Sequence, residues 1–219
     1  MPRALFEKTG IAVFISHLDL MRLFQRAFKR AGLHLTHTQG YNPRPSVSMA
    51  LPLSLGMESK CELMDFALEG QSPDNDEILA RLNQSLISGV RVLSVYDDID
   101  KIKNIAFLDC TLTLEYDDGV PARGIQQIEE LFQRHQLLLE KKGKNGISEQ
   151  DIIPMIRRIY VEQLNGNEIA LHARVCCQNP ALNPMQLCAA IKKFLPELAP
   201  NHVRCCREEI YDTNETVFR

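Results

Sequence analysis

A short stretch near the N-terminus brings together residue types that bind or transform phosphate. It holds Ser16, His17 and Asp19, at the point where a β-branched apolar run gives way to a helical pattern. Unpaired backbone N–H groups and the helix dipole favour anions at such a helix start. His17 would then contact or protonate a phosphate, and Arg22 and Arg26 would follow the anion along the helix. The same stretch also fits a purely structural cap formed by the serine and the aspartate, and these residues by themselves favour the cap.

A second set of polar groups lies in the loop after this helix. The loop offers a ring that can stack, amides that can read hydrogen-bonding edges and a guanidinium, supplied by Gln39, Tyr41, Asn42 and Arg44. This combination suits recognition of a nucleotide or another planar polar ligand. Two prolines stiffen the same loop, so a rigid turn between neighbouring strands would have an equally suitable sequence.

The basic residues are concentrated in the first quarter of the chain. Residues 1–60 hold eight Lys and Arg against three acidic residues, whereas the remaining residues hold 17 against 25, so the net charge is +5 in the first part and −8 in the second. Three interpretations are open for the basic helix face: RNA phosphate contact, docking of an acidic protein, and a solvated surface. Polyanion binding needs several positive charges acting together, and the net +5 supplies them.

Composition and motif content exclude several classes of protein. The chain of 219 residues is 45% hydrophobic and 24% charged, as in ordinary globular proteins. It has neither a secretory start nor an apolar stretch approaching the ~20 residues of a membrane span. We therefore expect a cytoplasmic protein without membrane contact. The sequence contains no P-loop, HExxH, GxGxxG or Ser/His/Asp set, which argues against a self-sufficient enzyme.

The seven cysteines are expected to be reduced thiols. Nowhere are three of them spaced to hold an iron–sulfur cluster on one loop. In the predicted sheet Cys110 would lie near the pairs Cys176-Cys177 and Cys205-Cys206, which leaves zinc or an auxiliary cluster as an alternative. Ligands on three separate strands lack a local metal motif, so we predict buried thiols that act as small hydrophobes and no metal site.

The predicted elements occur in the same order in both halves of the chain. The first half reads as a strand over 3–15, a helix from Ser16 towards Gly32, strands over 46–53 and 61–68, a helix over 74–86 and a strand over 90–96. The second half reads as a strand over 105–116, a helix over 121–134, an irregular excursion over 142–156, a hairpin of strands 158–164 and 168–175 around Asn165-Gly166, a helix over 184–194 and a strand over 202–210. This order predicts an α+β protein with two tandem ferredoxin-like (βαββαβ) domains, residues 1–98 and 99–219.

Several segments of the first half resemble a known family. They are Phe14 to Arg22, Arg26 to Leu33, Thr38 to Pro43, Leu53 to Gly56, and Glu58-Ser59. Together they closely resemble the radical-SAM-associated family of bacterial proteins, in which this module is fused behind a cobalamin-binding radical SAM protein or encoded beside one. The likeness is specific over residues 3–69 and looser but collinear beyond. The family loop more often carries Phe and His where this chain has Tyr41 and Arg44, so a histidine-based role of the loop is not expected here.

The resemblance implies a non-catalytic accessory or substrate-presenting module for a radical SAM partner. The expectation that this partner modifies RNA rests on the charge asymmetry and on the predicted tandem ferredoxin-like architecture. S-adenosylmethionine, the iron–sulfur cluster and any cobalamin would be bound by that partner and none of them by this chain. The residues implied to contact RNA or the partner are Ser16, His17, Asp19, Arg22, Arg26, Gln39, Tyr41, Asn42 and Arg44.

Two other functions compete with this hypothesis. One is a metal-independent endoribonuclease resembling the repeat-RNA-processing proteins of CRISPR systems, with His17 as general acid or base and Arg22 or Arg44 stabilising the phosphorane. The glycine-rich loop expected near the C-terminus of those proteins is absent, since residues 195–219 contain no glycine. The other is a pure scaffold that binds only protein.

Overall fold

The computed structural model describes residues 1–97, 100–143 and 146–219. The chain divides into two compact units, Met1–Asn104 and Ile105–Phe218. The predicted domain boundary between residues 98 and 99 lies outside the described residues. Among the helices of the described part, none has the length and apolar character needed to cross a membrane. The predicted α+β class is confirmed.

Unit 1 is a sheet with helices packed on one face. Its elements are β1 (Pro2–Lys8), α1 (His17–Arg30), β2 (Val47–Met49), β3 (Glu58–Phe66), α2 (Asn75–Ser85) and β4 (Val90–Asp97). The strands lie in the order β4-β1-β3-β2, and each pair of neighbours is antiparallel. The first strand therefore lies between the third and the fourth.

Unit 2 repeats this arrangement with one addition. Its elements are β5 (Ile105–Glu115), α3 (Gly124–Phe132), β6 (Leu138–Gly143), β7 (Gly146–Asp151), β8 (Ile156–Gln163), β9 (Glu168–Cys176), α4 (Met185–Phe194) and β10 (His202–Asp212). Its main strands lie in the order β10-β5-β9-β8 with antiparallel neighbours. Strands β6 and β7 form a separate two-stranded sheet, so part of the predicted irregular excursion over 142–156 is one strand of a hairpin.

Two predicted strands of unit 1 are shorter than their sequences indicate. The strand predicted over 3–15 ends at Lys8, because Gly10 has a φ of 56° and begins a 3₁₀ helix over Gly10–Phe14. The strand predicted over 46–53 is reduced to β2, and Leu51 takes a left-handed φ of 42°. The first interruption leaves Ile11 and Phe14 exposed, whereas Leu53 stays buried after the second.

The core of unit 1 fixes the orientation of α1. One face of the helix is buried against the sheet and carries Leu20, Phe24, Ala27 and Phe28. Phe24 meets Phe6 of β1 at a ring separation of 4.8 Å, and Phe28 meets Phe66 of β3 at 4.9 Å. The opposite face of α1, which carries the basic side chains, must therefore point outward.

Strands β1 and β3 are also joined by a buried ion pair. The Arg3 Nε donates to Asp65 Oδ1 at 2.7 Å, and the two side chains are 0% and 10% exposed. Replacing Asp65 by Ala leaves a buried guanidinium without its carboxylate, which we expect to lower the free energy of unfolding by about 3–5 kcal/mol. Urea denaturation measures the loss. The double variant Arg3→Met/Asp65→Leu removes both charges and should recover most of it; a double variant as unstable as Asp65→Ala would contradict this account.

Candidate functional site

Helix α1 begins with the cap that its sequence predicts. The backbone N–H of Asp19 donates to Ser16 Oγ at 3.2 Å, and Ser16 Oγ donates to Asp19 Oδ2 at 2.7 Å. Arg22 Nη1 donates to Asp19 Oδ1 at 2.9 Å. These hydrogen bonds, first from Ser16 and then from Arg22, lower the pKa of Asp19. A carboxylate therefore occupies the helix start, and a bound anion is better placed further along the helix.

Three arginines four residues apart line a groove on one side of α1. We name this surface the arginine groove; it has a volume of about 410 Å³ and is lined by Ile15, Asp19, Arg22, Leu23, Arg26, Arg30 and Ile87. Arg30 Nη2 donates to the carbonyl oxygen of Ser85 at 2.5 Å, and the side chain of Arg26 has no hydrogen-bond acceptor among residues 1–97, 100–143 and 146–219. Three guanidinium groups thus face the groove with a single carboxylate.

The predicted loop residues lie away from the arginine groove. The loop is closed at its base, where the N–H of Thr38 donates to the carbonyl oxygen of Arg44 at 2.8 Å. Gln39, Tyr41, Asn42 and Arg44 are all exposed, and Tyr41 is 100% exposed. The base of the loop instead borders a second cleft, on the other side of α1.

The structure brings together only part of the predicted set. Asp19, Arg22 and Arg26 line one groove, and Ser16 contacts Asp19. His17 is the first residue of α1, is partly buried and does not line the groove. Helical spacing places Arg30 on the same basic face as Arg22 and Arg26, but the predicted site residues did not include it.

An exposed cluster of large apolar side chains flanks the start of α1. We name it the apolar patch: Ile11, Phe14, Leu18 and Leu55, which are 79%, 73%, 66% and 63% exposed. The 3₁₀ helix places Ile11 and Phe14 three residues apart and so on the same side. The N–H of Gly56 donates to the carbonyl oxygen of Val13 at 2.9 Å, which brings the backbone next to Leu55 close to the backbone next to Phe14. Sequence reasoning missed this cluster because it extended β1 to residue 15.

A buried lysine anchors the backbone beneath the apolar patch. Lys8 is 1% exposed, and its Nζ donates to the carbonyl oxygens of Val13 at 3.2 Å and Ile15 at 2.8 Å. Burial lowers the pKa of Lys8, while the nearby Glu62 carboxylate acts in the opposite direction. The position of the patch therefore depends on a charged group inside the fold.

We expect Lys8→Met to lower the free energy of unfolding by about 1–3 kcal/mol, since two carbonyl groups lose their donor. Urea denaturation gives the value, and trypsin digestion reports whether the segment after β1 opens. Lys101→Met, at an exposed lysine of the same unit, is the matched control and should change stability by less than about 0.5 kcal/mol. Equal stability of the two variants would contradict the anchoring role.

Four of the six cysteines of unit 2 are buried, namely Cys110, Cys177, Cys188 and Cys205, whereas Cys176 and Cys206 are only half-buried, so the prediction of buried thiols does not hold for these two. Burial raises the pKa of Cys110 well above its ordinary value, and the neighbouring Cys205 adds to the effect. Burial also raises the pKa values of Cys177 and Cys205 to about 12. Thiols are therefore the favoured form at neutral pH, and metal binding requires thiolates. Within the part of the chain that the structure describes, no group of three or more metal-ligating side chains occurs.

Sequence reasoning also missed a hydroxyl–imidazole–carboxylate chain on the sheet of unit 2. Thr111 Oγ1 lies 3.0 Å from His172 Nδ1, and His172 Nε2 lies 2.9 Å from Glu162 Oε1. The His172 ring stacks on Tyr160 at 4.6 Å. Thr111 is in direct register with His172, and His172 with Tyr160. Cross-strand contacts of this kind stabilise a sheet, so we assign this chain to the pairing of β5, β9 and β8.

These features define an α+β protein of two compact units, with its candidate site in unit 1. The chain belongs to a bacterial family, DUF2344, which is described as an uncharacterised protein conserved in bacteria and whose model matches residues 2–184. No curated protein sequence matches the chain.

Two solved structures match the chain over most of its length. A chain of the crystal structure of a Cbf5-Nop10-Gar1 complex matches with a TM-score of 0.52 and 9% identity, over 95% of this chain and 48% of that one. This chain thus spans about half of that relative's length, and at 9% identity the likeness concerns the fold alone. An unknown protein from Galdieria sulphuraria matches with a TM-score of 0.26 and 10% identity, over 97% of this chain and 96% of that one.

Proposed function

We propose that this protein is a non-catalytic, substrate-binding accessory module of a radical SAM enzyme that modifies RNA. The enzyme would carry the cluster, the S-adenosylmethionine and any cobalamin, while this chain would hold the RNA. The observation that carries the proposal is the presence of two different exposed surfaces at the start of one helix. Ile15 and Asp19 line the arginine groove, and Phe14 and Leu18 belong to the apolar patch.

The arginine groove suits a phosphate backbone. Guanidinium groups present a planar fork of donors that matches phosphate oxygens. Arg22, Arg26 and Arg30 rise about 6 Å from one to the next along the helix, so they can contact successive anionic groups. Asp19 orients Arg22, but both side chains are at least 60% exposed, so this ion pair is weak and is readily exchanged for a phosphate contact.

The apolar patch suits a protein partner. Soluble proteins rarely expose contiguous large apolar side chains, and where they do the surface commonly binds another protein. Phe14 and Leu18 would be covered by the radical SAM enzyme, which would bring its active site next to RNA held in the groove. The side chains of the loop, above all the fully exposed Tyr41, would stack on or contact RNA bases.

We further propose that each unit is a ferredoxin-like domain. Both units have the order strand, helix, strand, strand, helix, strand, apart from the β6–β7 hairpin of unit 2. In both, the antiparallel sheet has its first strand between the third and the fourth. Many unrelated activities share this fold, so the function rests on the surfaces of unit 1 and not on the fold.

The proposed RNA binding predicts how the affinity for RNA depends on salt concentration. Arg22→Glu/Arg26→Glu should weaken binding of a single-stranded RNA by tenfold or more, measured by fluorescence anisotropy. The slope of log K against log salt should fall in magnitude by about 0.7 for each phosphate that the variant no longer neutralises. The control Lys101→Glu/Lys103→Glu makes the same charge change at exposed lysines outside the groove and should leave affinity within about twofold. Equal affinities of the groove variant and the control would contradict RNA binding in the groove.

The proposal that the protein does not itself cleave RNA is tested in the same samples. RNA incubated with the protein in EDTA should keep its length on a denaturing gel. Shortening at defined sites that disappears in His17→Ala would contradict the accessory role and identify the endoribonuclease instead.

A further inference from the structure

A second cleft borders α1 on the side opposite the arginine groove. We name it the histidine cleft; it has a volume of about 350 Å³ and is lined by Gln25, Phe28, Lys29, Leu33, His34, Leu35, His37, Pro45 and Glu69. This volume lies at the lower end of the roughly 300–1,000 Å³ found for small-molecule sites. The cleft therefore has room for a compact ligand or for one part of a larger ligand.

The floor of the histidine cleft is apolar and well fixed. Phe28, Leu33 and Leu35 are buried, at 0%, 3% and 8% exposure. The N–H of Leu33 donates to the carbonyl oxygen of Phe28 at 2.9 Å, so the chain turns at the end of α1 into the segment that carries His34 and Leu35. Leu35 forms an antiparallel bridge with Leu68. These buried side chains fix the base of the cleft, and the walls open to a ligand are formed by Pro45 and by the side chains of Gln25 and Lys29, which are partly or fully exposed.

The rim of the cleft is polar and mostly basic. Lys29, His34 and His37 are exposed, and Gln25 adds an amide. In residues 1–97, 100–143 and 146–219 no partner occurs for the side chains of Lys29 and His34. The acidic group of the rim, Glu69, lies 3.9 Å from His37 Nδ1. The rim therefore offers donors and acceptors for the edge of a planar ligand together with positive charge for an anion.

Helix α1 connects the two surfaces. Its arginines line one groove, and Gln25, Phe28 and Lys29 of the same helix line the cleft. A chain of phosphates that follows the helix can therefore place an attached ring in the cleft.

We propose that the histidine cleft binds one unstacked base of a single-stranded RNA whose phosphates lie on α1. The base packs against Pro45 and the side-chain stems of Gln25 and Lys29, and its edge forms hydrogen bonds with the polar groups of the rim. This inference rests on the proposed function, because it takes the RNA as bound to α1. A base bound in the cleft makes the affinity for RNA depend on the bases as well as on the charge of the phosphate backbone.

The test compares two probes at one salt concentration: a fluorescein-labelled 12-nucleotide oligouridylate, and a 12-mer of the same length with abasic sites throughout. The wild-type protein should bind the first about tenfold more tightly or better, as expected for a stacked base. His34→Ala/His37→Ala should remove most of this preference and leave the affinity for the abasic probe unchanged. His135→Ala/His202→Ala, at exposed histidines of unit 2, is the matched control and should keep the preference.

A second readout does not depend on loss of function. Oligouridylate with 4-thiouridine should crosslink on irradiation to peptides from residues 25–45, and His34→Ala/His37→Ala should reduce the yield. Equal affinity of the wild type for the two probes, or a preference that survives the double substitution, would overturn the cleft while leaving RNA binding on α1 intact. Absence of binding to both probes would overturn the proposed function and the cleft together.

Discussion

The burial of one face of α1 against the sheet determines where the charged groups of unit 1 lie. Phe24 and Phe28 pack on rings from β1 and β3, so α1 cannot rotate without opening the core. This orientation turns the arginines towards one side and Lys29 towards the other. The candidate site is thus a consequence of hydrophobic packing, and its charges have fixed positions because the core has one arrangement.

The segment before α1 depends on a different interaction. A strand that continued beyond Lys8 would have hidden part of the apolar patch, but Gly10 redirects the chain, and the Lys8 ammonium group binds two carbonyl oxygens of the redirected segment. Burying a charge disfavours the folded state unless the charge finds partners, and here the partners belong to the backbone that carries Phe14. The fold therefore uses a buried cation to hold large apolar side chains in an exposed position.

Much of the fold could be predicted from local sequence signals, whereas the surfaces could not. The cap at Ser16, the apolar stripe of α1 and the Asn165-Gly166 turn depend on neighbouring residues, and the structure contains all three. The apolar patch depends on the left-handed Gly10 and on hydrogen bonds that Lys8 makes several residues away, which periodicity does not encode. The histidine cleft joins α1 to segments up to Glu69, and only the folded chain brings them together.

The central claim is that unit 1 joins RNA to a radical SAM enzyme through separate surfaces. Anaerobic affinity purification from the native organism, with RNA and proteins identified by sequencing and mass spectrometry, tests it most directly. We expect the wild type to retain both, Phe14→Ser/Leu18→Ser to lose the enzyme and keep RNA, and Arg22→Glu/Arg26→Glu to lose RNA and keep the enzyme. Recovery of RNA without a radical SAM protein would contradict the claim. So would loss of both the RNA and the enzyme in each of the two variants.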